Sequence, residues 1–195
     1  ESQGATQYSR LIAWGLNTSG QLGDNSSITK SSPAQVGSSS WKFVSAGNGF
    51  SINVDSNNNV YGAGTNAVGQ LGDGTTVTRS VPVVITGSNF PSASAPVQVG
   101  FLSWTSVSVG GTHTVAIRSD NTLWAWGLNT SGQVGDNTAI SKSSPVQIGT
   151  SSWQAVGASK FTDNSLAIRS DYSLFAWGTN AAGQLGIGDT LTRSS

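Results

Sequence analysis

The chain has 195 residues, long enough for an ordinary core, and 36% of them are hydrophobic, which excludes a disordered tail. Nine basic and nine acidic residues cancel, so no overall field draws in nucleic acid, an anionic membrane or an acidic substrate. The absence of cysteine excludes a disulfide framework and a thiolate metal site, and no apolar run is long enough for a signal peptide or a membrane helix.

In chain order, Leu11-Ile12-Ala13-Trp14-Gly15 reads as a short strand, and Gly20-Gln21-Leu22-Gly23 follows it as a turn. Trp41 opens the next unit, in which Val60-Tyr61-Gly62-Ala63-Gly64 repeats the strand and Gly69-Gln70-Leu71-Gly72 the turn. About 14 extra residues then fall within Ser80–Ala95. Trp104 opens a third unit. Its strands Thr114–Arg118 and Leu123–Gly127 are joined by Ser119-Asp120-Asn121-Thr122, a polar link whose Asn and Asp tolerate left-handed backbone and close a tight hairpin. Gly132-Gln133-Val134-Gly135 follows. A fourth unit runs from Trp153 through Leu174-Phe175-Ala176-Trp177-Gly178 to Gly183-Gln184-Leu185-Gly186, with about two extra residues in Ala158–Asp163.

The four glutamines Gln21, Gln70, Gln133 and Gln184 are spaced by 49, 63 and 51 residues. A period near 50 is the mark of an array whose units bury their apolar faces only by stacking on neighbours. Between Ala13–Trp41 and Ala125–Trp153, 22 of 29 positions are identical, so the units form an alternating pair, duplicated. Charges recur as well. Asp24 with Lys30, Asp73 with Arg79 and Asp136 with Lys142 share one spacing, and Arg118 with Asp120 matches Arg169 with Asp171, which assigns these charges to turn chemistry rather than to one active site. No segment has a helical period. The sequence predicts an all-β protein with about four short strands per 50 residues, the pattern of β-propeller blades made of four-stranded antiparallel sheets.

A tryptophan-aspartate propeller is disfavoured by the period and by the missing Trp-Asp dipeptide, and the kelch class by its Gly-Gly doublet, which occurs here only as Gly110-Gly111. Trp126-Gly127 leading to Gly132-Gln133-Val134-Gly135-Asp136, then Pro145-Val146-Gln147-Ile148-Gly149, with Val107-Ser108-Val109-Gly110-Gly111-Thr112-His113-Thr114 upstream, resembles the repeat of the regulator of chromosome condensation family. The resemblance covers the chain from about residue 10. It implies a propeller, usually seven-bladed, in which sequence repeat and blade are offset so that one blade draws strands from two repeats. Units of roughly 10–40, 41–103, 104–152 and 153–195 then give about three and a half blades, part of a larger ring. The sequence starts within a repeat and lacks an initiator methionine, so it reads as a piece of a longer chain. Exposed strand edges at its ends invite association, and the expected partners are other protein subunits, including further copies of the chain closing the ring.

Candidate chemistry is thin. His113 is the only histidine, so zinc ligation and a Ser-His-Asp triad both lack the residues they need, and the resemblance makes it a packing residue near a blade turn. The glycine turns feed extended segments rather than a helix, against phosphate binding, and Asp73-Gly74 and Asp136-Asn137 lack the oxygen ladder of a calcium loop. No catalytic residue, cofactor or metal is expected. Trp14, Trp126 and Trp177, like Trp41, Trp104 and Trp153, are read as filling the space between blades. Asn17, Asn25 and Asn129 begin Asn-x-Ser sequons, a weak glycosylation signal in a Ser- and Asn-rich repeat.

The departures from the repeat point to recognition, because insertions on a propeller map to surface loops. The candidate interaction residues are Ser88, Asn89, Phe90 and Pro91 in the 80–95 insertion, and Lys160 and Phe161 in the last unit. The founding members of the family are guanine-nucleotide exchange factors for a nuclear GTPase that bind chromatin. This chain lacks their basic extension, and its insertion cannot be matched to their exchange wedge. The sequence therefore predicts a non-enzymatic interaction or structural module, in a virion appendage or extracellular assembly rather than the nucleus. The alternatives are a carbohydrate-binding adhesin, with Phe90 or Phe161 stacking on sugar, and an exchange factor. No nucleic acid and no membrane insertion is expected.

Overall fold

Short β-branched and aromatic runs, bounded by Gly, Asn and Asp, form thirteen strands in this computed structural model, which describes residues 9–84 and 103–194. The outer pair β1 (Ile12–Gly15) and β2 (Lys30–Gln35) stand as a two-stranded sheet. Then come two four-stranded antiparallel sheets. One is β3 (Trp41–Ala46), β4 (Phe50–Asp55), β5 (Val60–Gly64) and β6 (Arg79–Val84); the other is β7 (Trp104–Val109), β8 (His113–Arg118), β9 (Leu123–Gly127) and β10 (Lys142–Gln147). The last sheet has β11 (Trp153–Ala158), β12 (Asn164–Arg169) and β13 (Leu174–Gly178), and a bridge from Gly178 to Arg193 marks where a fourth strand starts. The described residues contain no helix, as expected for an all-β chain. Strand order within each sheet follows chain order, so each sheet is an up-and-down meander built from local hairpins.

The sheets stack face to face, β7 against β3 and β4, and β11 against β7 and β8. The core is accordingly divided into three layers, each lying between sheets. Leu11, Val36 and Trp41 fill the first, Phe50, Ile52, Leu71, Trp104 and Trp126 are central to the second, and Val115, Leu123, Val134, Trp153 and Trp177 to the third. A strand covered on both faces needs no apolar–polar alternation. This explains why β4 and the first five residues of β8 are buried at every position.

One end of each of the three larger sheets carries a β-hairpin. Asn58 and Asn121 adopt positive φ there, of 66° and 65°, and Tyr172 holds the same place at 68°. In the first hairpin Asp55 accepts from the amides of Asn57 and Asn59 and from the Tyr61 hydroxyl, whose pKa burial and this carboxylate push up to about 12. In the other two an arginine replaces that Asp and pairs with a carboxylate two residues on, Arg118 with Asp120 and Arg169 with Asp171. The opposite end carries the Gly-Gln turns and, in the three larger sheets, the loops between the first two strands.

Candidate functional site

Each Gly-Gln turn is organised by an asparagine three residues before it. Asn17, Asn66, Asn129 and Asn180 have no solvent exposure. The Asn66 side-chain amide donates to Asp73 Oδ1 at 3.0 Å and to the carbonyls of Thr75 and Val77, while its Oδ1 accepts from the Leu71 amide at 3.0 Å. Asn17 and Asn129 repeat this pattern with Asp24 and Asp136. A buried amide is stable only when its donors and acceptor are all engaged, and here one side chain ties a whole loop together. Asp24, Asp73 and Asp136 are clamped in turn by Lys30, Arg79 and Lys142 at 3.2, 2.9 and 2.9 Å. The fourth turn moves its charge by two places. Ile187 takes the Asp position, and Asp189 receives both the Asn180 amide and Arg193. The hydrogen bonds of Asp24 and Asp136 hold their carboxyls below the usual range, although burial opposes this.

Asn17 and Asn129 are therefore structural hubs, sealed from any glycosyl donor; of the three sequons only that of Asn25 has an exposed asparagine. Sequence reading missed this role because a turn asparagine normally faces water. The available signal was its recurrence at a fixed distance before each Gly-Gln.

The same turns join the sheets. Gln70 and Gln133 use their side-chain Oε1 to accept the Val68 and Ser131 amides, and their main-chain carbonyls point at the next sheet. The Gln70 carbonyl accepts from Trp126 Nε1 and Thr114 Oγ1, both at 3.1 Å; that of Gln133 accepts from Trp177 Nε1 at 2.9 Å and Ser165 Oγ at 2.8 Å. Gln21 shows the Ser51 half of this contact. Gly72 and Gly135 lie against the indoles, and a Cβ at Gly72 would sit 2.5 Å from Trp126 Nε1. Trp126 and Trp177 thus fill inter-sheet space, whereas Trp14 is 60% exposed because no described sheet precedes it. Trp41, Trp104 and Trp153 are buried at equivalent points, in edge-to-face contact with Tyr61, with Trp124 and Trp126, and with Phe175. A cleft of about 230 Å³ remains between the last two sheets, lined by Leu123, Ile148, Trp153 and Phe175 among others.

The loops between first and second strands form the remaining feature of the turn face. In the second and third sheets they are tight and glycine-rich and each buries one ring, Phe50 over Gly47 and His113 over Gly110. His113 Nε2 lies 2.9 Å from Ser165 Oγ, whose own proton goes to the Gln133 carbonyl. Nε2 is therefore the donor, and the unprotonated Nδ1 has no partner among the described residues. Burial pushes the His113 pKa down to about 4, so the ring is neutral and serves as packing and as a joint. In the last sheet Asn164 takes this register and the loop is longer. Ser159 Oγ and Thr162 tie its base, and at its tip Lys160 is exposed and Phe161 is 97% exposed. Ser88, Asn89, Phe90 and Pro91 lie outside the described residues. The ends of β6 and β7 that flank their segment are at the hairpin end of the sheets, opposite Lys160 and Phe161.

A family model described as the regulator of chromosome condensation (RCC1) repeat matches residues 9–54, 57–117 and 120–162, and a second model of the same description matches 104–133. The chain belongs to the RCC1 repeat family. The matched RCC1 repeat 57–117 starts in the hairpin before β5 and ends in β8, so each sequence repeat joins the outer strands of one sheet to the inner strands of the next. Relatives include the ultraviolet-B receptor UVR8 of Arabidopsis thaliana, 34% identical over 91 residues (46% of this chain, 21% of the relative). Human protein RCC2 is 36% identical over 78 residues (40% and 15%). Human WBSCR16 superposes with a TM-score of 0.75 at 21% identity over 94% of this chain and 45% of that one, and yeast RCC1 (Prp20), in its complex with Kap60, with 0.74 at 18% over 94% and 43%. The sheets are therefore blades of an RCC1-type β-propeller. The chain spans about a fifth or less of these curated relatives and under half of the solved chains.

Proposed function

We propose that this propeller segment is a non-enzymatic protein-interaction or structural module that meets its partner through the loop face bearing Lys160 and Phe161. The observation that carries this reading is Phe161, a whole aromatic ring held in water at the tip of the one loop between first and second strands, among the described residues, that departs from the tight glycine pattern. Aromatic anchors beside a cation are what interface centres are made of. Relatives support protein partners as a class: one structure of Prp20p from Saccharomyces cerevisiae is described with its binding properties to Gsp1p and histones, and another has Kap60 bound. Net neutrality and turns rich in Ser, Thr, Asn and Gly support a place in a virion appendage or extracellular assembly over a nuclear one.

The test compares proteins from the native source retained on the immobilised chain and on a Lys160→Ser, Phe161→Ser variant. A specific partner lost by about tenfold or more at unchanged melting temperature is the expected result. Undiminished retention rejects this face. Glycan binding that disappears in the same variant moves the module to the carbohydrate-adhesin class, and faster nucleotide release from a small GTPase moves it to the exchange factors.

A further inference from the structure

The loops between first and second strands pack on one another by a rule that has one ionisable member. In the second sheet the Phe50 ring lies against Gly47, and the Gly110 carbonyl of the next loop is 2.7 Å from where a Gly47 Cβ would stand. In the third sheet His113 takes the place of Phe50. A Cβ on Gly110 would lie 2.5 Å from His113 Nδ1 and 2.9 Å from the Ser159 carbonyl oxygen, so the ring is wedged beside the start of the 158–163 loop of the last sheet. Its Nε2–H reaches Ser165 Oγ, just past the other end of that loop, at 2.9 Å. Three further hydrogen bonds seat the loop on the third sheet: the Ala158 amide to Ser108 Oγ at 3.0 Å, the Gly111 amide to the Ser159 carbonyl at 3.2 Å, and Thr112 Oγ1 to Asp163 Oδ1 at 3.3 Å.

A proton added to Nδ1 of this ring meets neither water nor an acceptor, because the residue has no solvent exposure and Nδ1 has no partner among the described residues. No counter-charge is bonded to it either. Lys160 and Asp163 on the loop share no hydrogen bond with the ring, and Asp73 and Asp136 in the two flanking turns are clamped by Arg79 and Lys142. The loop 47–49 is uncharged, and the strands around the ring carry charge only near their hairpin ends, at Lys42, Asp55, Arg118 and Arg169. The remaining ties between sheets contain no titrating group. The amides of Asn25, Gly74 and Asn137 donate to the carbonyls of Ser80, Ser143 and Ser194 at 3.2, 2.8 and 3.0 Å, and Trp126 and Trp177 donate to the Gln70 and Gln133 carbonyls, with Ala63 in place of the indole at the first contact.

We propose that His113 is an acid latch for the 158–163 loop: a proton on Nδ1 drives the ring out from beside Gly110, the loop leaves its seat on the third sheet, and return to neutral pH closes it again. A buried unpaired charge is costly, and letting the ring reach water relieves it at the expense of a few local hydrogen bonds. The direction follows from linkage. The seated ring has its pKa pushed down to about 4 by burial, whereas the released ring regains the ordinary 6.5, so the released form binds the proton first and its share grows by up to about 300-fold as pH falls through that interval. Because the other ties do not titrate, acid frees a loop and not a blade. The loop is the one that carries Lys160 and Phe161, so control of partner binding by the latch rests on the reading of those residues as the contact; the opening itself does not.

The test needs no partner. The chain has no cysteine, so Lys160→Cys accepts a single fluorophore whose anisotropy reports the loop, and it has one histidine, whose Cε1 proton gives a single titrating magnetic-resonance signal. The expected result is anisotropy that falls between pH 7 and pH 4 with the same midpoint as the histidine signal, below 6.5, while far-UV circular dichroism stays constant. The labelled His113→Phe protein, which uses the ring found at Phe50, keeps its neutral-pH anisotropy throughout. Anisotropy that stays flat to pH 4, that falls equally in His113→Phe, or that falls only together with global loss of structure overturns the proposal. Where His113→Phe does not fold, the two midpoints of the labelled His113 protein decide, and midpoints that differ overturn it.

Discussion

The joints inside the fan and the flanks at its ends are made of the same residues in opposite surroundings. Trp126 is fully covered and Trp14 is 60% exposed; Ile52 and Val115 have no exposure, whereas Leu166, in the same register of the last sheet, has 39%. Each blade's sequence therefore prepares an apolar face that its own sheet cannot cover. Burial comes from the neighbour, and stability resides in the joints more than in single blades.

The largest test of this contrast is the pair of indoles. Trp126→Ala is expected to destabilise by about 3–5 kcal/mol, and Trp14→Ala by under about 0.5 kcal/mol in dilute protein, read by urea unfolding. Comparable losses would break the comparison. The glycines should divide the same way: Gly135→Ala meets both left-handed strain and the Trp177 indole and costs about 2–4 kcal/mol, whereas Gly186→Ala meets only the strain, about 1 kcal/mol.

His113 sharpens the contrast through pH. Its folded pKa, about 4, lies below the ordinary 6.5, so the unfolded chain binds the proton first and stability falls as pH drops from about 6.5 to about 4. That contribution, up to about 3 kcal/mol, should vanish in His113→Phe, the residue used at Phe50, when unfolding midpoints at pH 7 and pH 4.5 are compared between the two proteins. A gain in place of a loss is expected at the exposed hairpin of the last sheet. Tyr172→Asn should stabilise by about 1 kcal/mol or less, because asparagine tolerates φ near 68°; a loss in thermal midpoint would show that the ring makes contacts that outweigh the strain.

The array, its strands and its class of fold were legible because Gly-Gln-(Leu/Val)-Gly and the tryptophans recur at blade spacing, and recurrence filters out the ambiguity of any single short apolar run. The ion pairs were legible for the same reason. The buried asparagines were not, since their meaning depends on a loop closing around them, and Asn17 and Asn129 looked like modification sites. Trp14 holds the repeat position of Trp126 and Trp177, and its exposure reflects that no described sheet stands on its outer side. The exposure of Phe161 was legible only as a break in pattern at Ala158–Asp163.

At every joint the acceptor is the main-chain carbonyl of a glutamine, not a side chain particular to one blade. Such a connector asks of the incoming unit only an indole or a small residue at one place and a free carbonyl at another. Whole units can then be gained or dropped by unequal crossing-over without any interface having to be reinvented. The near-copy of Ala13–Trp41 at Ala125–Trp153 is the trace such an event leaves in a genome.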